Sequence, residues 1–170
     1  MFWVLGIVGG LIALVALAVL IGWLLPQNHV AHRRALFRQS SEALWETITG
    51  PPTWRPDVKS FEMLLAREGR KVWCEVDLHG QRITFEEVEA VPPSRLVGRI
   101  ADPKLPFGGS WTYELLPGDG GTTLAITERG EIYNPFFRFM ARFVFGYTST
   151  LEKYLRNLGK KFGEEVRIEG

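Results

Sequence analysis

No charged side chain occurs between Phe2 and Leu25. At about 1.5 Å per residue this run makes a helix about 36 Å long, against a hydrocarbon core of about 30 Å. Trp3 and Trp23 are spaced about 30 Å apart along such a helix. That spacing suits indoles at the two membrane–water interfaces. Residues 2–25 are therefore expected to cross a lipid bilayer once. Cleavage as a signal peptide is not expected. No basic segment precedes the run, the run exceeds a signal core, and no small-x-small site closes it.

Flanking charge predicts the orientation. Arg33, Arg34 and Arg38 follow the run, and only the α-amino group precedes it. The excess of cations on cytoplasmic flanks then places the rest of the chain in the cytoplasm. The one cysteine, Cys74, fits a reducing compartment and reads as a core thiol. Within the helix, Gly6, Gly9, Ala13 and Ala16 lie on one face at steps of three and four, and Gly6 and Gly10 form a GxxxG. Such small residues let helix backbones approach in lipid, so a homodimer through this face is one expectation.

The expected boundaries are a transmembrane helix over 1–26, a globular domain over 27–166 and a tail over 167–170. The whole chain carries 20 Lys+Arg and 19 Asp+Glu, for a net charge of +1. A nucleic-acid partner is not expected, since that needs a basic excess. Basic residues do gather late, however: Arg138, Arg142, Lys153, Arg156, Lys160 and Lys161 against Glu152 alone between Asn134 and Gly163.

The domain's pattern predicts a strand over Val30–Arg38, then a helix over Glu42–Thr49 capped by Ser40 or Ser41 and ended by Gly50-Pro51-Pro52. A short turn or helix surrounds Trp54. Strands follow over Ser60–Arg67, Lys71–Leu78, Arg82–Val91, Arg95–Ala101, Ser110–Leu116 and Thr122–Tyr133. A slipped alternation at Glu86-Glu87 predicts a bulge. From Phe136 to Phe162 apolar residues recur at helical spacing, which predicts one helix of about seven turns with Pro135 in its first turn. An antiparallel sheet of about six to seven strands wrapped on a long C-terminal helix is an α+β, helix-grip arrangement.

At this point the chain resembles a family. Ser40-Ser41-Glu42-Ala43-Leu44-Trp45-Glu46, Trp54-Arg55-Pro56-Asp57, Gly109-Ser110-Trp111-Thr112-Tyr113-Glu114-Leu115, and Thr127-Glu128-Arg129-Gly130-Glu131-Ile132 before Asn134-Pro135 occur in that order. Together they resemble the START-like (SRPBCC) superfamily, in the branch of polyketide cyclases/dehydratases and lipid-transport proteins, over roughly His29–Glu164. The resemblance implies an apolar cavity between sheet and helix for a lipid, sterol, quinone or polyketide, with a minority of members acting as enzymes. It also implies that the loop Asp102–Gly109 gates that cavity.

No cofactor and no metal is expected. P-loop, dinucleotide and nucleophile-elbow motifs do not occur. His29 and His32 read as surface histidines beside the membrane, and His79 as part of a solvated turn. Glu75 and Asp77 share a strand face with Trp73, and Glu87 and Glu89 share another; both faces read as solvated.

The primary expectation is a membrane-anchored binder of a hydrophobic small molecule, a lipid or an isoprenoid- or polyketide-like compound. Trp73, Trp111, Tyr113, Phe143 and Tyr147 are the candidate lining residues. Leu105, Phe107, Phe136, Phe137, Phe139, Arg138 and Arg142 are candidates for a cavity mouth or membrane contact, where arginines between phenylalanines suit anionic headgroups. One alternative is a cyclase or dehydratase using a cavity carboxylate, Glu75 or Glu128. Another is a protein-interaction module with no ligand. A tether of only about four residues, near 13 Å, predicts a domain held against the bilayer with its mouth toward lipid.

Overall fold

A computed structural model describes residues 2–170. Helix α1 (Phe2–Leu24) is followed by β1 (Asn28–Phe37), α2 (Ser41–Thr49), β2 (Val58–Arg67), β3 (Arg70–Asp77), β4 (Arg82–Val91), β5 (Arg95–Ile100), β6 (Phe107–Gly118) and β7 (Gly121–Ile132). Then come α3 (Pro135–Met140), a π-turn (Ala141–Phe145), α4 (Ser149–Lys161) and β8 (Ile168–Glu169). Among the described residues the strands form one antiparallel sheet in the order β2-β3-β4-β5-β6-β7-β1-β8.

Local chemistry explains the boundaries. The Ser40 hydroxyl accepts from the Ala43 N–H and caps α2, and the Gly50 N–H closes its far end on the Glu46 carbonyl. The β6–β7 hairpin turns at Asp119-Gly120, with Gly120 at φ 100°. The slip expected at Glu86-Glu87 lies between Glu87 and Glu89 in the β4–β5 pairing.

The core joins β1, β6 and β7 to α2 and α4. Phe37, Leu44, Leu124, Leu155 and Leu158 are fully enclosed, with Leu115, Ile126 and Leu151 beside them. The α4 share of this core, Leu151, Leu155 and Leu158, follows the predicted helical spacing. Cys74 is buried, on the face of β3 that also buries Val72.

Two expectations are corrected here. The tail over 167–170 is part of the sheet: Ile168 pairs with Ala35 and Glu169 with Arg34, an eighth strand beyond the seven read from sequence. The single long C-terminal helix is two. Gly146 sits at φ 75°, and the chain leaves helical geometry there before α4 begins. Glycine costs about 1 kcal/mol in a helix interior, and the Tyr147-Thr148-Ser149-Thr150 sequence adds no helix former to offset it. Apolar periodicity runs straight through this break, because α3 and α4 each bury a face, though against different partners.

That partner for α3 is α1, which packs against it. Ala18 and Gly22 are the buried positions among the described residues of α1. A Cβ at Gly22 would collide with the Pro135 carbonyl. The Arg138 side chain completes the joint. Its Nη1 donates to the Gly22 and Leu25 carbonyls at 3.3 and 3.1 Å, its Nη2 to the Tyr133 carbonyl at 2.9 Å and its Nε to the Ile132 carbonyl at 2.9 Å. A guanidinium at orphaned C-terminal carbonyls both satisfies them and complements the helix dipole. The face carrying Gly6, Gly9, Ala13 and Ala16 lies away from this joint; no atom comes within 4 Å of a Cβ placed at Gly6 or Gly9.

Candidate functional site

Between the sheet, from β2 through β7 with His29 of β1, and the helices lies a cavity of about 680 Å³. Alternation along each strand decides what faces it. Trp73, Glu75 and Asp77 of β3 point in, as do Phe85 and Glu87 of β4, Trp111 and Tyr113 of β6, and Ile126, Glu128 and Gly130 of β7. The faces of β3 and β4 expected to be solvated are therefore cavity walls, as far as Glu87; Glu89 is outside and pairs with Arg95. Trp73 stacks on Phe85 at 5.6 Å, and Phe85 meets the Trp111 ring edge-on at 6.0 Å.

The carboxylates on this wall have partners. Arg55, delivered by the Trp54-Arg55-Pro56-Asp57 turn, donates to Glu75 and to Asp57, both at 2.8 Å. The Trp73 indole N–H donates to the other oxygen of Glu75 at 3.2 Å. Burial works against the Arg55 charge, but Glu75 and Asp57 outweigh it and raise its pKa further. The same pairing overcomes burial at Asp57 and holds its carboxyl below the usual range. The Tyr113 and Tyr154 phenols, 5.5 Å apart, are both pushed upward by burial.

A second polar group stands at the β7–β1 side. His29 pairs with Gly130 across the strands, and a Cβ on Gly130 would run into the imidazole. The glycine thus makes room for the ring, which stacks on Tyr147 at 4.2 Å. His29 Nε2 lies 3.4 Å from Glu128 Oε1, with side-chain exposures of 11% and 13%. Glu128 Oε2 and His29 Nδ1 are buried and have no hydrogen-bond partner in the protein. Burial raises the Glu128 carboxyl above its ordinary value, with the Trp111 indole and His29 opposing. His29, expected at the surface, is a cavity residue. His32, three positions further along β1 and so on the opposite face of the strand, stays outside and bonds Thr127.

Of the expected lining residues, Trp73, Trp111, Tyr113 and Tyr147 are on the cavity. Phe143 is not: it lies in the π-turn, 58% exposed, with its ring against Phe139 at 5.0 Å. Of the expected mouth, Phe107 and Phe137 reach the cavity, whereas Leu105, Phe136 and Phe139 do not line it. Arg142 is exposed. Arg138 is 7% exposed and bound to backbone carbonyls, so it is unavailable to headgroups. Phe137 of α3 and Phe143, Val144 and Phe145 of the π-turn are instead exposed apolar residues, and Phe145 also borders the cavity. Arg55, His29 and Gly98 were missed as site residues. Arg55 alone carried a sequence signal, as a cation inside a Trp-x-Pro turn. Among the described residues no cluster of His, Cys, Asp and Glu is arranged to hold a metal.

Residues 37–163 match the family model described as polyketide cyclase / dehydrase and lipid transport. The chain belongs to this family. No curated protein sequence matches it. Among solved structures, a Rhodobacter sphaeroides protein is 21% identical with a TM-score of 0.52, over 81% of this chain and 99% of that one. The di-domain ARO/CYC protein StfQ from the steffimycin biosynthetic pathway is 14% identical with a TM-score of 0.60, over 78% and 49%. Truncated norcoclaurine synthase from Thalictrum flavum is 12% identical with a TM-score of 0.61, over 81% and 95%. At these identities the likeness is one of fold, the helix-grip arrangement of sheet and C-terminal helix.

Proposed function

We propose that this member of the polyketide cyclase / dehydrase and lipid transport family is a single-span membrane protein that holds a hydrophobic small molecule beside the bilayer. The cavity carries the reading. Its volume of about 680 Å³ lies within the range of sites for small organic ligands, and aromatic rings with a few placed polar groups wall it. A lipid, isoprenoid or polyketide-like compound suits such walls.

The membrane half of the proposal draws on α1, which is long and apolar enough to cross a bilayer and is hardly covered by the domain. Its end is hydrogen-bonded to Arg138 of α3, the helix whose Phe137 lines the cavity, which supports an entrance by Phe107 and Phe137 close to the emergence of α1. Phe143, Val144 and Phe145 would then enter the lipid surface. Arg33, Arg34 and Arg38, just past the span, favour the cytoplasmic side.

The test is lipid extraction and native mass spectrometry of the full chain released from nanodiscs. An apolar compound in stoichiometric amount is expected. Absence of any bound species, together with failure to bind the neutral dye Nile red, removes the reading.

A second reading is favoured by one observation, the buried and unpartnered Oε2 of Glu128. A carboxyl with a raised pKa beside a histidine can exchange a proton with a bound polyketide or similar carbonyl compound. Turnover of a candidate compound that stops with Glu128→Gln would support it.

A further inference from the structure

We infer that the cavity is built for an apolar ligand ending in a protonated amine, and against one ending in a carboxylate or phosphate. This rests on the ligand-binding reading above and adds the ligand's head group to it. Six carboxylates line the cavity, Asp57, Glu75, Asp77, Glu87, Glu128 and Glu131, against two permanent cations among the described residues, Arg55 and Lys71. Neither cation is free for an anionic ligand. The two terminal nitrogens of Arg55 are bound to Glu75 and Asp57. Lys71 pairs with Glu87 at 3.5 Å, and its side chain is mostly in solvent.

Most of the acids are also engaged. Asp77 accepts the His79 and Gln81 backbone N–H groups, and Glu131 accepts the Tyr133 hydroxyl at 2.6 Å. Glu128 differs. One of its oxygens lies 3.4 Å from His29 Nε2; the other, Oε2, is buried and receives no hydrogen bond of acceptable geometry, although the Trp111 indole on the neighbouring strand is close enough to favour the carboxylate. Leaving such an acceptor unmet is unfavourable, and a donor supplied by the ligand relieves it. With Nε2 carrying the proton toward Glu128, His29 Nδ1 is a second buried acceptor in the same pair. An alkylammonium head brings three donors and a positive charge to two acceptors in a negatively charged wall. A carboxylate brings acceptors and a like charge. Stacked on Tyr147, the His29 ring has an aromatic neighbour whose face also suits a cation.

Displacement of Nile red from the full chain in a non-ionic detergent tests this with three ligands of one chain length: dodecylamine, dodecanol and dodecanoate. The amine should bind about tenfold tighter than the carboxylate, with the alcohol between. Glu128→Gln should remove the amine's advantage over dodecanoate, bringing the two affinities together. Equal binding of all three, or tighter binding of dodecanoate, overturns the head-group inference while ligand binding itself stands. If none displaces the dye, the ligand-binding reading falls and takes this one with it. The order measured on the unaltered chain decides the matter even if the variant does not fold.

Discussion

Arg138 and Gly22, 116 positions apart in sequence, are joined by a hydrogen bond from the guanidinium to the last turn of the apolar helix. The same group binds Leu25, Ile132 and Tyr133, so one buried side chain fastens α1, the end of β7 and α3 to one another. Arg138→Met removes all of these donors at once. Charge-assisted hydrogen bonds contribute about 1.5–3 kcal/mol each, not additively, so the joint should open locally. Hydrogen exchange over 135–145 should rise while β6 and β7 keep their protection. Gly22→Leu should do the same by displacing Pro135. Unchanged exchange in both variants would mean that α3 does not dock on α1 in solution.

Arg55 is the counter-ion for two cavity carboxylates. Arg55→Met leaves Glu75 and Asp57 unpaired and should destabilise the domain by about 2–4 kcal/mol, at or below the usual range because the site is part-exposed. Adding Glu75→Gln should recover part of the loss. The pH profile carries a second signature. Asp57 is held low in the folded state, so its contribution is present above its ordinary value of 3.8 and lost as pH falls through the lowered one. Chemical denaturation below pH 4 should show this acid loss in the unaltered protein and a flatter profile in Arg55→Met.

Glu128 has the opposite sign. Its folded pKa is raised, so the folded state binds more protons than the unfolded one just above the ordinary value of 4.5. The stability it contributes is present below 4.5 and lost as pH rises through the raised value. Glu128→Gln removes this loss, so its Tm should gain on the unaltered protein between pH 4.5 and neutrality. Parallel Tm curves across that window would contradict the assigned burial.

Gly98 offers a way to fill the cavity without touching a charge. Its Cβ would lie 3.6 Å from Trp73 Cη2, an ordinary contact, and the position faces the cavity from β5. Gly98→Leu should weaken Nile red binding about tenfold or more while Tm shifts by only a few degrees. Full retention of binding would place the ligand elsewhere.

Much of the fold was legible in the chain. The uncharged run from Phe2, the Ser40 cap, the period-two strands and the Leu151-Leu155-Leu158 spacing each follow from local geometry that a side chain imposes on its own neighbourhood. Which face of a strand lines a cavity is not local. Val72 and Cys74 alternate with Trp73 and Glu75 whichever way the sheet curls, and the solvated reading of Glu75 and Glu87 failed because a paired carboxylate can be enclosed. The enclosure of His29 has no local signature, because it depends on Gly130 opposite it on β7, which gives the ring space and leaves Glu128 within reach. The break at Gly146 was masked by apolar periodicity, since α3 and α4 are each amphipathic toward different partners.

The apolar helix, the antiparallel sheet with its C-terminal helical cover, and the family are written locally in the chain, because periodicity, caps and turn chemistry act between residues close in sequence. That Arg138 caps α1 rather than meeting headgroups, that Phe143 faces outward, and that His29 and Glu128 meet follow only from the packed fold. Those contacts join residues about a hundred positions apart, and strand register and helix docking set them, not any pattern carried within one segment.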